Sequence, residues 1–361
     1  MSDTTLAGGP YQESPFHRGE RAVQDRVGVR DQMEARGRIA IRNAMPEQHR
    51  EFFPQLPFVI VGSVDSGGQP WASVLAAEPG FITSPNPQRL VIRARILFAD
   101  PLHDTLHADA AIGLLGIEPH TRRRNRMNGI VEQLDTDGFS LRVVQSFGNC
   151  PKYIQARKPI FASDTSNGQA RQVHRAIGLD GAMRRLVGAA DTLFIATSAA
   201  ADSKSESDGR TTFVDDGDAC VGQDGVDVSH RGGKPGLVRI DDDSTLTMPD
   251  FVGNFFFNTL GNLVVNPRAG LLFIDFANGD LLYLAVDVEI IWDGAEVRAF
   301  EGAQRLLRFH IKQALRVEAS LPLRWGAAEL SPVLTSTGSW EDAARYVTDL
   351  PPSAQGSAKL A

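Results

Sequence analysis

The sequence predicts a mainly β protein with flanking helices, in which one six-stranded antiparallel barrel occurs twice in tandem. A short phrase is repeated, as Gly-Gly-Gln-Pro-Trp-Ala-Ser-Val over 67–74 and Gly-Gly-Lys-Pro-Gly-Leu-Val-Arg over 232–239. A β-rich run precedes each phrase, at 58–64 and at 193–198. Two turn phrases that each follow a β-rich run indicate two copies of one hairpin-based domain.

A second observation supports the duplication. Gly-Leu-Leu occurs at Gly113 and again at Gly270, and a Val-Glu pair follows each glycine at the same distance, at Val131 and Val288. Equal spacing over this stretch indicates duplication of a domain. We expect a ligand site where the two copies meet, because ligand pockets favour domain interfaces.

The chain begins with a segment, 1–46, that is predicted to be loose at first and helical later. Residues 17–46 are charged, with apolar residues at rough helical spacing, and 46–53 is typical of a short helix with proline in its first turn.

The first barrel is assigned to 47–160. Runs rich in β-branched and apolar residues, separated by turn residues, predict its strands, and one small helix is predicted over 103–108. The stretch 78–87 holds glycine and prolines and is interpreted as a hairpin tip or a longer loop. The predicted strands are 58–64, 71–76, 89–94, 111–117, 128–133 and 140–145.

A connecting helix is predicted within 161–190, followed by the second barrel over 191–300 and a C-terminal extension over 301–361. The second barrel carries an insertion, 199–225, rich in Ser, Asp and Gly. Such a composition buries too little apolar area to offset the entropy of ordering, so a mobile loop is expected. In the extension, 302–325 is interpreted as a strand running into a helix, and the tail after Thr335 is expected to fray.

The overall composition is that of a soluble globular protein long enough for two domains. The chain has 361 residues, 42% hydrophobic and 22% charged, and its net charge of −7 argues against nucleic acid as a partner. No apolar run is long enough to span a membrane, and the N-terminus lacks the pattern of a secretory signal. Two cysteines are too few for a disulfide framework, so a reducing cytoplasm is expected.

Three stretches are candidates for a binding site. The turn 229–236 puts a hydroxyl, two cations and glycines together, which suits a phosphate group but also describes a solvated hairpin. Downstream, Asp250 to Asn254 and Asn258-Thr259 either cap a helix or donate to an anion held at its start. The basic run 122–126 is either a solvated strand edge or an anion-binding patch.

The segment 147–154, Phe-Gly-Asn-Cys-Pro-Lys-Tyr-Ile, is a further candidate. Pro151 suits the first position of a helix capped by Asn149 or Cys150, and Lys152 would then lie in a first turn where acids are usual. A lysine in that place is natural if an anion docks there. We find no metal-ligand spacing among the histidines and cysteines, no nucleophile elbow, no phosphate loop and no dinucleotide fingerprint.

These motifs resemble those of the pyridoxamine 5′-phosphate oxidase-like, FMN-binding split-barrel proteins, over roughly residues 14–340. The resemblance is carried by the following stretches: 14–20, 125–129, 147–154, 229–238, 249–254, 258–262 and 266–272. The start of the chain, Ser-Pro-Phe-His-Arg-Gly-Glu over 14–20, is similar to a subgroup with two barrels in one chain. The resemblance implies a split barrel with FMN held at a barrel–barrel interface.

By position, the resemblance implies that cationic residues of the 229–236 turn and polar groups before the short helix hold the FMN phosphate. Residues 236–238 would run along the isoalloxazine edge. The implied cofactor-binding residues are Ser229, Arg231, Lys234, Pro235, Gly236, Leu237, Val238, Asn254, Asn258, Thr259, Asn149 and Lys152.

The two copies depart from the family pattern at different places. In the first copy, Gln69 is aligned with Lys234 and Ser66 with Arg231, so the cationic turn is lost. In the second copy, residues 310–314 are aligned with the Asn-Cys-Pro-Lys-Tyr stretch. One economical hypothesis is a single composite site, with the cationic turn from one barrel and residues 149–152 from the other.

The leading interpretation is an FMN-binding, flavin-dependent oxidoreductase with a small-molecule substrate or a nicotinamide electron donor, and conceivably a reductase partner. The chain would be an intramolecular pseudo-dimer, with a homodimer left open. Because the isoalloxazine carries the electron chemistry, no side-chain nucleophile is required. The alternatives are a non-catalytic protein that holds flavin, haem or a deazaflavin, and a scaffold with a vestigial site.

Overall fold

The computed structural model describes residues 14–162, 171–200 and 225–349, and the side chains up to residue 346. The interior of the insertion expected to be mobile, 201–224, lies outside the described residues, as do the first residues of the N-terminal segment and the end of the tail. No helix in the described ranges has the length and apolar character needed to span a bilayer.

Three helices precede the first barrel, as predicted. They are α1 (Arg18–Arg26), α2 (Arg30–Ala40) and α3 (Glu47–Phe52), and a 3₁₀ turn (Phe53–Gln55) continues α3. Helix α1 begins with a capping box, in which the His17 side chain accepts from a backbone N–H and Glu20 accepts from the backbone N–H of His17.

The first barrel is one antiparallel sheet of seven strands, one more than the six expected. The extra strand lies in the stretch interpreted as a hairpin tip, and the last two strands are longer than predicted. The spatial order is β2-β1-β5-β6-β7-β4-β3. The elements are β1 (Phe58–Val64), β2 (Pro70–Ala76), β3 (Ile82–Asn86), β4 (Arg89–Ile92), α4 (Leu102–Thr105), β5 (Ala111–Glu118), a 3₁₀ turn (Pro119–Thr121), β6 (Arg123–Asp135) and β7 (Gly138–Gly148).

The connection between the barrels is not a single long helix. It contains β8 (Pro159–Phe161), β9 (Val173–Ala176) and the short helix α5 (Gly181–Ala189), which Asp180 caps through the backbone N–H groups of Ala182 and Met183. Glycine and aspartate over 178–181 limit the helix to its last turns because they favour turns and caps.

The second barrel repeats the topology of the first. Its strand order is β11-β10-β14-β15-β16-β13-β12, which matches the first barrel strand for strand. It extends to Val317, well beyond the predicted boundary at 300, because its last strand completes the sheet. The elements are β10 (Thr192–Ser198), β11 (Val226–Gly232), β12 (Arg239–Ile240), β13 (Thr245–Phe251), α6 (Asn258–Val265), β14 (Arg268–Ile274), β15 (Leu281–Ile291), α7 (Ala295–Ala299) and β16 (Ala303–Val317).

The C-terminal extension packs back on both barrels. Strand β17 (Leu323–Trp325) pairs with β8, a 3₁₀ turn covers Pro332–Ser336, and α8 (Trp340–Asp349) follows where a frayed tail was expected. The Trp340 indole donates to the carbonyl of Leu237 at 2.9 Å, which joins the extension to the second barrel.

Strand pairing shows which residues of the two copies are equivalent. Gly113 pairs with Gly62 and with Asn128, while Gly270 pairs with Ala196 and with Ala285. The Gly-to-Val-Glu spacing is therefore a true repeat, and each copy has a bulge directly after the Asn128 or Ala285 position.

The two Gly-Gly-x-Pro phrases, in contrast, are not equivalent. The first forms the β1–β2 turn, whereas the second follows β11, the counterpart of β2. The register makes Leu75 the counterpart of Arg231, so the proposed alignment of Ser66 with Arg231 and Gln69 with Lys234 is wrong. Asn149 likewise aligns with Val317 and not with the 310–314 stretch.

The barrels pack through their equivalent strands around a pseudo-two-fold axis. A Cβ on Gly113 would lie 2.4 Å from the carbonyl oxygen of Val226, and one on Gly270 would lie 2.4 Å from the carbonyl oxygen of Pro70, the counterpart of Val226. The backbones approach so closely at both places that only glycine fits. Equivalent strands of the two barrels therefore pack against each other.

Candidate functional site

A cleft opens between the two barrels, with about 820 Å³ of space when its solvent-filled mouth is included. Both barrels supply its walls. The first contributes Arg124, Arg126, Asn149, Cys150, Lys152 and Tyr153, and the second contributes His230, Arg231, Gly232, Leu237, Pro249, Asp250, Phe251, Gly253, Asn254, Phe255, Phe257, Asn258, Thr259 and Leu260. We call this site the arginine cleft.

The basic run of β6 supplies two of the three arginines in the cleft. Residues two apart on a strand point to the same face, so Arg124 and Arg126 both face the cleft. Arg123 instead lies over the Phe52 ring, and Arg122 donates to the Ile154 carbonyl and pairs with Glu329. The sequence offered this run as a solvated strand edge or an anion patch. It did not show which of the arginines would face a ligand, because the strand was predicted to begin only at residue 128.

The third arginine, Arg231, comes from β11 of the other barrel. Its guanidinium lies 3.5 Å from Asp250, which also lies 3.6 Å from Arg305 behind it. One carboxylate therefore serves two arginines. The Nε of Arg231 is buried and has no hydrogen-bond partner among the described residues.

The three arginines repel one another in a place that water reaches poorly. Burial, with the charges of Arg126 and Arg231, lowers the pKa of Arg124 to about 9. Burial also lowers the pKa of Arg126 to about 10, although Asp227 at 3.6 Å opposes the change. These lowered pKa values indicate that the cleft holds more positive charge than its acids neutralise. A bound anion would reduce the repulsion between the arginines.

His230 is neutral in this setting. Burial and the charges of Arg124 and Arg231 hold its pKa well below the usual range, and its Nδ1 lies 3.4 Å from Arg124 Nη1. A neutral imidazole nitrogen accepts a hydrogen bond from a guanidinium, so His230 orients Arg124 without adding charge.

Predicted polar residues form the floor of the arginine cleft. Ser229 Oγ and Thr259 Oγ1 are 2.9 Å apart, and the Arg126 guanidinium donates to Ser229. Asn258 Oδ1 accepts from Arg126 Nη1 at 3.1 Å, while its Nδ2 donates to Glu20 Oε1 at 2.5 Å. These contacts place Ser229, Asn258 and Thr259 as supports of Arg126.

Residues 149–152 reach the cleft but form no helix. The chain after β7 continues as turn and extended segment, and Tyr153 has a left-handed φ of 63°. The prediction of a helix at Pro151 is therefore wrong. Asn149 and Lys152 nevertheless line the cleft, with Asn149 Oδ1 accepting from Asn254 Nδ2 at 3.3 Å and Asn149 Nδ2 buried without a partner in the described residues.

Five of the predicted residues do not line the cleft, and one of them, Ser229, supports it only through Arg126. Lys234 donates to the carbonyl of Thr337 at 2.5 Å, because the C-terminal extension accepts its ammonium group. Val238 is in the barrel core, and Pro235 and Gly236 belong to a turn whose Gly236 N–H bonds the Ala190 carbonyl. Of the 236–238 stretch expected along the isoalloxazine, only Leu237 lines the cleft.

Aromatic side chains that the sequence did not single out line the rest of the cleft. Tyr153 and Phe251 stack at 5.2 Å between ring centroids, one from each barrel, and Tyr153 OH donates to the Val252 carbonyl. Phe255 and Phe257 form an edge contact at 5.9 Å. The cleft thus joins a cationic end to an aromatic wall.

The pseudo-two-fold mate of the arginine cleft is filled. Leu75, Leu281 and Tyr283 occupy the positions of Arg231, Arg124 and Arg126, and all three are fully buried. Tyr283 OH donates to Asp100 Oδ2 at 2.7 Å inside this packed region. The described residues therefore provide one such cleft per chain.

The described residues hold no group of three His, Cys, Asp or Glu side chains suited to a metal ion. Among the residues that the structure describes, Asp227, Asp250 and Glu20 are the acids beside the arginines of the cleft, and each is engaged with an arginine or an amide.

Comparison with known proteins agrees with this architecture. The sequence profile of the pyridoxamine 5′-phosphate oxidase family matches residues 45–173. No curated protein matches the chain.

Several solved structures are similar to part of the chain. HupZ (H111A) of Group A Streptococcus is 14% identical, with 38% of this chain and 98% of that chain covered and a TM-score of 0.27. A candidate pyridoxamine 5′-phosphate oxidase from Lactobacillus delbrueckii is 12% identical, with 38% and 94% covered and a TM-score of 0.27. A protein from Mesorhizobium loti described as FAD-binding is 12% identical, with 40% and 97% covered and a TM-score of 0.25.

The matched segment contains the whole first barrel, and the second barrel repeats its strand order. Residues 45–173 therefore match the pyridoxamine 5′-phosphate oxidase family, and the strand order of that segment occurs twice in the chain.

Proposed function

We propose that the chain binds one FMN in the arginine cleft and acts as a flavin-dependent oxidoreductase. The observation that carries this proposal is the convergence of Arg124, Arg126 and Arg231, from two barrels, on one cleft with too few acids to neutralise them. The match of residues 45–173 to the pyridoxamine 5′-phosphate oxidase family supports a flavin as the ligand.

The residues present fit a flavin monophosphate. Buried donors on Arg126 and Asn149, which have no hydrogen-bond partner among the described residues, suit phosphate oxygens, which accept charge-assisted hydrogen bonds. The aromatic wall suits a planar ring system. We assign Arg124, Arg126 and Arg231 to the phosphate, with Lys152 and Thr259 beside it.

Bound flavin would supply the electron chemistry, and the protein would supply binding, orientation and exclusion of water. Arg124 is oriented by His230 and by the Cys150 carbonyl, which accepts from its Nε at 2.7 Å. Arg126 is fixed by Ser229 and Asn258. The cations are therefore set in place before a ligand arrives, which reduces the entropy lost on binding.

The electron donor is proposed to be a nicotinamide or a reductase partner, and the electron acceptor a small molecule. The cleft is open to solvent and Gly253 in its lining is exposed, which supports access for a second molecule. The non-catalytic alternative differs in one observable, because it predicts a bound flavin that no nicotinamide reduces.

The test is a binding comparison between FMN and riboflavin, which differ only in the phosphate. The purified chain is expected to take up FMN with quenching of flavin fluorescence and to bind riboflavin at least about tenfold more weakly, which corresponds to 1.4 kcal/mol. Addition of NADH or NADPH is then expected to bleach the visible flavin absorbance. Equal affinity for FMN and riboflavin would show that the arginines do not bind the phosphate. A flavin that stays oxidised would favour the non-catalytic binding protein.

A further inference from the structure

Helix α1 belongs to neither barrel, yet it reaches the floor of the arginine cleft. It crosses α6 where two glycines meet, and a Cβ on Gly19 would lie 2.1 Å from the carbonyl oxygen of Gly261. A Cβ on Gly261 would lie 2.5 Å from Cγ of Glu20. Because no side chain separates the two helices, the carboxyl of Glu20 reaches the first residue of α6.

Glu20 is connected to the cleft by two hydrogen bonds in sequence. Its Oε1 accepts from Asn258 Nδ2 at 2.5 Å, and Asn258 Oδ1 accepts from Arg126 Nη1 at 3.1 Å. All three side chains are buried. The other carboxyl oxygen accepts from the backbone N–H of His17 at 3.0 Å, so the carboxyl is held at both ends.

We propose that Glu20 is a positioning residue of the arginine cleft, which holds Arg126 through Asn258 and whose protonation state sets how tightly the cleft binds an anion. This inference rests on the proposed anion-binding role of the cleft and extends it to a segment outside both barrels. It requires no flavin, because any compact dianion would meet the same guanidinium.

The charges around Arg126 explain why ionisation of Glu20 should weaken anion binding. Asp227 on β11 lies 3.6 Å from Arg126, and Glu20 on α1 reaches the same guanidinium through Asn258. Two acids behind one cation reduce the positive potential in front of it. A neutral Glu20 leaves more of that potential to an anion in the cleft, and an ionised Glu20 leaves less.

The surroundings of Glu20 place its titration above the usual range of a carboxyl. Burial and the charge of Asp227 raise its pKa well above the ordinary value, against the opposing hydrogen bonds from His17 and Asn258 and the charge of Arg126. The His17 ring lies 3.6 Å away on α1 and is a further titratable group that faces Glu20. Anion binding should therefore weaken as pH rises through the pKa of Glu20.

The experiment titrates the flavin-free chain with sodium sulfate by calorimetry from about pH 5 to about pH 8, where sulfate keeps a constant charge and Arg124 stays protonated. Sulfate affinity is expected to fall by about tenfold over this range, a change of 1.4 kcal/mol. Glu20→Gln removes the titrating group and is expected to lose this dependence. Glu34→Gln, which removes a carboxylate of α2 that pairs with Arg30 and Arg38, should follow the parent.

A Glu20→Gln profile that superimposes on the parent would assign the dependence to His17 and overturn the proposal. If Glu20→Gln does not fold, Glu20→Asp serves instead, because its shorter reach to Asn258 is expected to shift the midpoint of the profile; an unmoved midpoint overturns the proposal. A chain that binds sulfate in this way but not FMN supports the role of Glu20 and contradicts the proposed function.

Discussion

Replacing Arg124 by methionine should stabilise the flavin-free protein while it weakens FMN binding. Burial and two neighbouring arginines lower the pKa of Arg124 to about 9, so its positive form is disfavoured in the folded state. Each pKa unit corresponds to about 1.4 kcal/mol, and after allowance for water at the cleft mouth we expect a gain of about 1–3 kcal/mol in the free energy of unfolding.

The stability gained by Arg124→Met should depend on pH. The folded-state pKa of Arg124 is depressed, so the unfolded chain binds the extra proton and the full cost is present at neutral pH. That cost is relieved as pH rises above about 9, and the advantage of Arg124→Met should shrink there. The lost bond to the Cys150 carbonyl offsets little, because Cys150 is partly exposed to solvent.

Arg126→Met is the matched comparison, because its loss leaves several groups without partners. Arg126 bonds Ser229 and Asn258 and neutralises Asp227, all of them buried. Leaving a buried acid and two polar groups unpaired should cost about 2–4 kcal/mol of stability. The two variants therefore have opposite effects on stability, although both should weaken FMN binding.

Urea unfolding of the flavin-free proteins measures the stability terms, and quenching of FMN fluorescence measures binding. Loss of one charge-assisted bond to the phosphate should weaken FMN binding by about tenfold to a hundredfold in either variant. The reasoning is refuted if Arg124→Met is less stable than the parent by more than about 1 kcal/mol, or if it binds FMN as tightly.

Three further predictions concern the number and the borders of the site. FMN should saturate the chain at one molecule per chain by calorimetric titration. Two equal sites would contradict the finding that side chains fill the pseudo-symmetric counterpart of the arginine cleft. Tyr283→Phe should cost about 2 kcal/mol in urea unfolding, because the buried Asp100 loses a charge-assisted bond of 2.7 Å, and it should leave FMN affinity unchanged. Lys152→Glu should weaken FMN binding severalfold, whereas Lys158→Glu, outside the cleft, should not; equal affinities would place Lys152 away from the phosphate.

Much of the fold could be predicted because it depends on local patterns. Strand β1 was predicted at its observed bounds, since a run of β-branched residues ended by Asp-Ser-Gly-Gly specifies a strand and a turn without reference to the rest of the chain. The distance from Gly113 to Val131 recurs in the second barrel for a different reason. A bulge at the same place in each sheet keeps the register, and the register keeps the spacing.

The repeated Gly-Gly-x-Pro phrase misled the alignment because turn chemistry is not tied to one place in a fold. Any tight connection between strands accepts the same residues, so the phrase occurs in the β1–β2 turn of one barrel and after β11 in the other. Only strand pairing distinguishes the two, and pairing depends on residues far apart in the chain.

The sequence by itself predicted two β-barrels in tandem and a candidate site that combines residues of both. The tertiary structure decided which cations belong to the site. In the sequence, Lys234 and Arg124 both look like exposed basic residues. Lys234 donates to a carbonyl 103 positions away, whereas strand alternation points Arg124 toward the other barrel. Burial of the arginines and repulsion between them, which would favour an anion in the cleft, arise only when the two barrels bring these arginines together.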